Sequence, residues 1–168
     1  MRIAAAAATA LLAIGCGAAE GPGSDVAHAP VALADQEDAV CGMLVREQSA
    51  PRGQVAHRDG STFFFCSIGD LLVYLGAPSP HGRPEAVFVE GMRPDQDPAR
   101  PHTGAHPWMP AADAVYVVGV DRPGVMGEPV LAYATRADAK AVVADHPGAR
   151  ILDLEGLRAW WNEREAAR

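Results

Sequence analysis

The chain has 168 residues, enough for one ordinary domain or two small fused units, and 49% of them are apolar, so a real core can form. A charged fraction of 21% argues against wholesale disorder. A formal net charge of −7 repels phosphate backbones, which excludes nucleic acid as a natural partner.

Met1-Arg2 forms a short positive start, and residues 3–14 are an apolar run interrupted only by Thr9. That run is shorter than the roughly 20 residues a membrane-spanning helix needs, but it suits the apolar centre of a signal peptide. Gly15-Cys16 follows, a small residue before a cysteine, with Leu12 close upstream. The pattern predicts a signal peptide over residues 1–15 and a lipidated Cys16 as the mature N-terminus, anchoring the protein to the cell envelope. Residues 16–37 are rich in Ala, Gly, Pro and acid without periodicity, and read as a flexible tether. With Cys16 acylated, only Cys41 and Cys66 remain as thiols, and in an oxidising compartment two such cysteines commonly pair.

The folded part is expected from residue 38. Residues 42–47 have strand-like content. Residues 53–57 and 61–65 read as two arms of a hairpin turning at Arg58-Asp59-Gly60. Ser67 suits a helix N-cap, with Asp70 three residues on where its charge complements the helix dipole. That helix should run to Leu75 and stop at Gly76, and residues 86–90 follow as a strand. Residues 91–110 hold five prolines and read as a connector. The order then recurs: strands over 114–120 and 129–134, a helix capped by Thr135 with Asp138 at its third position, a strand over 150–154, and a C-terminal helix over 155–168. Phe65-Cys66-Ser67 aligns with Tyr133-Ala134-Thr135, cap on cap, which suggests an internal duplication. The expected class is α+β, with two fused β-β-α-β units of antiparallel sheet: residues 38–95, then 96–168 with the connector and C-terminal helix.

Sulfur dominates the chemistry-bearing residues. Cys41-Gly42-Met43 sets a thiol and a thioether two residues apart, and alternation along an extended strand would put both on one face. Soft sulfur donors favour Cu(I) over zinc or hard cations. Met126 sits in a Gly/Pro loop, away from any apolar stripe, and is a second candidate ligand. Cys66 directly precedes a helix N-cap, where the dipole would favour thiolate; it reads as a third ligand, as a disulfide partner of Cys41, or as buried filler. His57, at the hairpin end, is a further candidate. His102 and His106 have an i, i+4 spacing, but Pro101, Gly104 and Pro107 argue against the helix that would bring them together. A Gly-x-Ser-x-Gly elbow, a P-loop, a dinucleotide fingerprint and a Cys-x-x-Cys pair are all missing, so the chain is expected not to be an enzyme.

Taken together, Cys41-Gly42-Met43, Phe65-Cys66-Ser67 leading into a helix, Trp108 entering the strand Val115-Tyr116-Val117, and Met126-Gly127 resemble the NosL family of copper lipoproteins accessory to nitrous oxide reductase. The resemblance spans residues 38–154. It implies a periplasm-facing lipoprotein that binds Cu(I) and exchanges it with a copper-donating or copper-receiving envelope protein, nitrous oxide reductase or its assembly machinery. It places copper-ligand roles on Cys41, Met43 and Met126. Many relatives carry a further cysteine just before the Cys-Gly-Met motif, whereas Asp38-Ala39-Val40 here supplies none. The alternative is a non-metal envelope assembly or interaction lipoprotein with a structural Cys41–Cys66 disulfide.

Overall fold

A computed structural model describes residues 28–123 and 127–167. The expected signal peptide, the lipidation site Cys16 and the candidate ligand Met126 lie outside the described residues. The class is α+β with two antiparallel sheets. The first hairpin pairs β1 (Gly53–His57) with β2 (Thr62–Phe65), and α1 (Ile68–Gly76) follows under the Ser67 cap. Next come β3 (Pro84–Glu90), β4 (Trp108–Pro110), β5 (Val115–Val118), β6 (Val130–Tyr133), α2 (Arg136–Asp145), β7 (Arg150–Leu152) and α3 (Leu154–Ala166).

The first sheet runs β2-β1-β3-β4 and the second β6-β5-β7. In each, the first strand of the unit is central, flanked by its hairpin partner on one side and by the strand after the helix on the other, all antiparallel. The repeated β-β-α-β order therefore also has one strand order.

Two expectations are corrected. Residues 42–47 do not form a strand: Leu44 makes a single bridge to Glu37, and Val45–Glu47 is one 3-10 turn. The reason is local. Gly42 has a φ of 75°, which takes the chain out of the extended region, and Asp38 closes a tight loop by donating its N–H to the Met43 carbonyl while its own carbonyl accepts from Gly42. The connector is not structureless throughout, since β4 adds an edge to β3. Pro110 fits there because an edge strand leaves one side of its backbone unpaired.

Period-2 alternation sorts the second sheet into two faces. Tyr116, Val118, Val130 and Ala132 join Val55, Phe65 and Val89 of the first sheet, Ile68, Leu71 and Leu72 of α1, and Leu157, Trp160 and Trp161 of α3 in one buried cluster shared by both units. Val117, Leu131 and Tyr133 point the other way and pack with Ala139 of α2, Ala50 and Met92. The back of the first sheet is partly covered by residues 28–38. Gln54 exchanges side-chain hydrogen bonds with both the N–H and the carbonyl of Val31, and Asp38 bridges to Phe64.

Two buried arginines fix the loops between these layers. Arg52 makes a bidentate pair with Glu90, 2.6 and 2.9 Å, and donates to the carbonyls of Arg46, Gln48 and Gly104. Arg122 donates to the carbonyls of Ala50 and Arg100. Such charges are retained in an interior only when fully bonded, as these are. They pin residues 46–50, of which Gln48, Ser49 and Ala50 line the cavity described below. No helix among the described residues is long and apolar enough to cross a membrane.

Candidate metal centre

The site begins where β2 ends. Phe65 pairs with Gly53, Cys66 comes next, and Ser67 turns the chain into α1 by accepting the N–H of Asp70 on its hydroxyl, 3.0 Å. Cys66 is thus held at a strand-to-helix junction, buried. The loop of residues 38–43 lies alongside this junction, because Ala39 donates to the Phe64 carbonyl, 3.0 Å, and Asp38 bridges to Phe64. It brings the exposed Cys41 to Cys66, with the two sulfurs 3.2 Å apart and both thiols free. The carboxylates of Asp38 and Asp70 complete a cluster whose four donor atoms all lie within 4.8 Å of one another.

Above the cluster opens a cavity of about 440 Å³. Met43, Cys66, Ser67 and Asp70 line it from the first unit, Gly127, Glu128 and Val130 from the second, and Trp161 from α3. The two units therefore meet beside Cys66. Two of the three large, well-exposed apolar side chains among the described residues also flank this place: Val73 lines the cavity and Val40 precedes Cys41.

Burial, together with hydrogen bonding and repulsion from the Asp38 carboxylate, pushes the Cys66 thiol well above its usual range. This reverses the expectation from the helix N-terminus. The dipole alone would favour thiolate, but desolvation beside a negative carboxylate dominates. Burial also acts to raise the Asp38 carboxyl, yet the hydrogen bonds it receives from Cys66, Cys41 and Val40 outweigh this and leave it below the ordinary value. Asp70 is raised, first by burial and then by the charge of Asp38. A cation binding there would displace the Cys66 proton, and the sulfurs of Cys66 and Met43, both on the first unit's wall, suit a soft one.

The structure brings Cys41 to Cys66 and puts Met43 in the lining of the cavity that Cys66 also lines, but not by strand alternation as expected; the tight loop at Gly42 and the bond to Phe64 do it. It does not bring His57 to them. That ring is fully buried at the opposite end of β1, about 13 Å along the strand from the Gly53 end. Its Nε2 meets the Tyr74 hydroxyl at 2.9 Å, and the rings of Phe63, Tyr74 and His81 surround it. His102 and His106 bond to loop carbonyls, of Asp97 and Gly104 respectively, and make no pair. The residue that sequence reading passed over is Asp38. Its side chain accepts from the N–H groups two and three residues ahead, an Asx turn, and an Asp three residues before a cysteine was the available sign.

Comparison with known proteins follows the same lines. A family model described as NosL matches residues 30–159. The "Copper-binding lipoprotein NosL" of Stutzerimonas stutzeri is 30% identical over 131 residues, 76% of this chain and 65% of that protein, so the chain spans less than two thirds of this relative's length. The crystal structure of the copper chaperone NosL from Shewanella denitrificans superposes with a TM-score of 0.62 at 26% identity, covering 76% of this chain and 93% of that one. The solution structure of the apo-NosL protein from Achromobacter cycloclastes aligns over 61% and 82% of the two chains, with 27% identity and a TM-score of 0.44.

Proposed function

Because the chain belongs to the NosL family, we propose that it is a carrier of Cu(I) in the cell envelope, holding one ion on sulfur between its two β-β-α-β units. The observation that carries this reading is the pair of free thiols 3.2 Å apart beside a cavity lined by Cys66 and Met43. The proposed ligands are Cys41, Cys66 and Met43, joined by Met126. Gly127 lines the same cavity, and Met126 is its neighbour in sequence. The buried His57, bonded to Tyr74, is left out of the set.

A sulfur site of low coordination number suits a carrier. Cys66 is the enclosed anchor and Cys41 the exposed partner, so an incoming sulfur or imidazole from another protein can approach on the Cys41 side while the metal stays bound. Transfer then proceeds by ligand exchange, without catalysis of a reaction and without a free ion. The net charge of −7 favours docking on a basic patch of a donor or acceptor. The client we propose, from the family resemblance, is nitrous oxide reductase or its assembly machinery. We also propose from the sequence that residues 1–15 are removed, that Cys16 carries lipid, that the segment read as a tether, residues 16–37, leads to the membrane through its part before the packed residues 28–37, and that residues 38–95 and 96–168 are the two units.

Anaerobic titration with Cu(I) against a chromophoric chelator tests the reading: one ion per chain is expected, with sulfur-only coordination by X-ray absorption. The same sulfur separation favours one competing reading, a structural Cys41–Cys66 disulfide in a protein that holds no metal. Zero free thiols on native protein, with no copper bound after reduction, would establish that reading instead.

A further inference from the structure

We propose that Asp38 is the positioning residue of this site, setting the separation of the two thiols rather than ligating the ion. Its carboxylate is 3% exposed and both oxygens are engaged. One oxygen accepts the N–H of Val40 at 2.6 Å and of Cys41 at 2.9 Å, and the other accepts the N–H of Cys66. Its main chain closes the same loop, donating to Met43 and accepting from Gly42. One side chain therefore grips the backbone of both cysteines, 25 residues apart in sequence, and the loop that carries Met43.

The chemistry favours positioning over ligation. A carboxylate has about four acceptor directions, and three here are spent on main-chain N–H groups. Taking up a metal would release at least one of those donors in a buried place, which is costly. Asp70 is committed differently: its carboxyl bonds the side chains of Asp38, Ser67 and Cys66, and it holds none of the main-chain N–H groups that Asp38 holds. Cys41 sits on an exposed loop outside the named strands and helices; the Ala39 N–H bond to the Phe64 carbonyl holds that loop to β2, and the Asp38 carboxylate adds the side-chain link from it to Cys66 itself.

The proposal rests on the copper-carrier reading, and its test separates the two. Asp38→Asn keeps the shape but turns one acceptor oxygen into a donor, which breaks the grip on Cys66 N–H or on the Cys41 loop. In glutathione redox buffers, glutathione disulfide plus the two thiols gives the Cys41–Cys66 disulfide and two glutathione thiols, so the equilibrium reads the effective concentration of one thiol at the other. We expect the variant to lower that concentration by about tenfold or more, without copper present. Cu(I) affinity should fall by a similar factor. An unchanged effective concentration overturns the proposal, and a fall in copper affinity alone would mean that Asp38 acts as a ligand. A wild type that binds no copper, with the variant still loosening the thiols, would sink the carrier reading and leave the positioning role standing. Should Asp38→Asn fail to fold, amide exchange in the wild type decides: the Cys41 and Cys66 N–H groups should both be protected at least about tenfold over free loop amides, and fast exchange of both overturns the proposal.

Discussion

At the junction between second strand and helix, the two units share a frame and differ in chemistry. In the first, Phe65-Cys66-Ser67 leads into α1, and the Ser67 hydroxyl accepts from Asp70 N–H at 3.0 Å. In the second, Tyr133-Ala134-Thr135 leads into α2, and the Thr135 hydroxyl accepts from Asp138 N–H at 3.1 Å. Around these matching caps the surroundings diverge. Cys66 is buried under the loop of residues 38–43, whereas Ala134 is exposed. Thr135 also bonds the Asp138 carboxylate, as Ser67 bonds that of Asp70, but Asp70 in addition meets Asp38 and Cys66. The helices differ in the same sense. Four residues of α1 are buried, packed between both sheets, against Ala139 alone in α2, which lies on the outer face. The repeated order supplies a frame, and the thiol pair arises only in the unit whose strand-to-helix junction is covered by an N-terminal loop.

The comparison can be broken at several points. Leu157 is fully buried in the cluster that spans both units, so Leu157→Ala should cost about 3 kcal/mol by denaturant titration. The transition should stay single. Two separate transitions in the wild type would show that the units do not share a core. Cys66→Ala should weaken Cu(I) binding at least about 100-fold, some 2.7 kcal/mol, and adding Ala134→Cys should restore none of it, because the second junction has no facing thiol. Recovery of affinity in the double variant would make the units chemically equivalent. Thr135→Ala should cost about 1 kcal/mol of stability and leave copper affinity unchanged, since its cap serves the fold alone.

The smallest effect concerns the connector between the units. His106 is buried, with Nδ1 facing the Gly104 carbonyl and Nε2 facing Gln96. Burial lowers its pKa below the usual 6.5, so the folded state binds fewer protons than the unfolded chain. Its contribution to stability is complete above that value and declines as the pH falls through it. Denaturation midpoints from pH 7.5 down to 5 should fall, and His106→Gln should flatten the slope; an unchanged slope would place the pH sensitivity elsewhere.

Much of the frame was legible because its causes are local. The Asp59-Gly60 turn, the Ser67 and Thr135 caps with acids three residues on, and the Val-rich strands each follow from a few adjacent residues, and the antiparallel α+β order follows from their succession. The tight loop at residues 38–43 was misread as part of a strand. Its shape depends on the φ of 75° at Gly42 and on a partner, Phe64, that lies 26 residues beyond Asp38. His57 looked available at a hairpin end, but its burial beside Tyr74 comes from the packing of α1 on β1.

The sequence by itself determined the elements, the doubled order and the sulfur-rich composition of the candidate ligands, because propensity, capping and donor softness belong to residues and their near neighbours. Only the tertiary structure decided which sulfurs meet. Cys41 reaches Cys66 through a carboxylate that bonds both backbones, and the cavity beside them has walls from both units. Contacts of that range are set by sheet register and core packing, which no local pattern encodes.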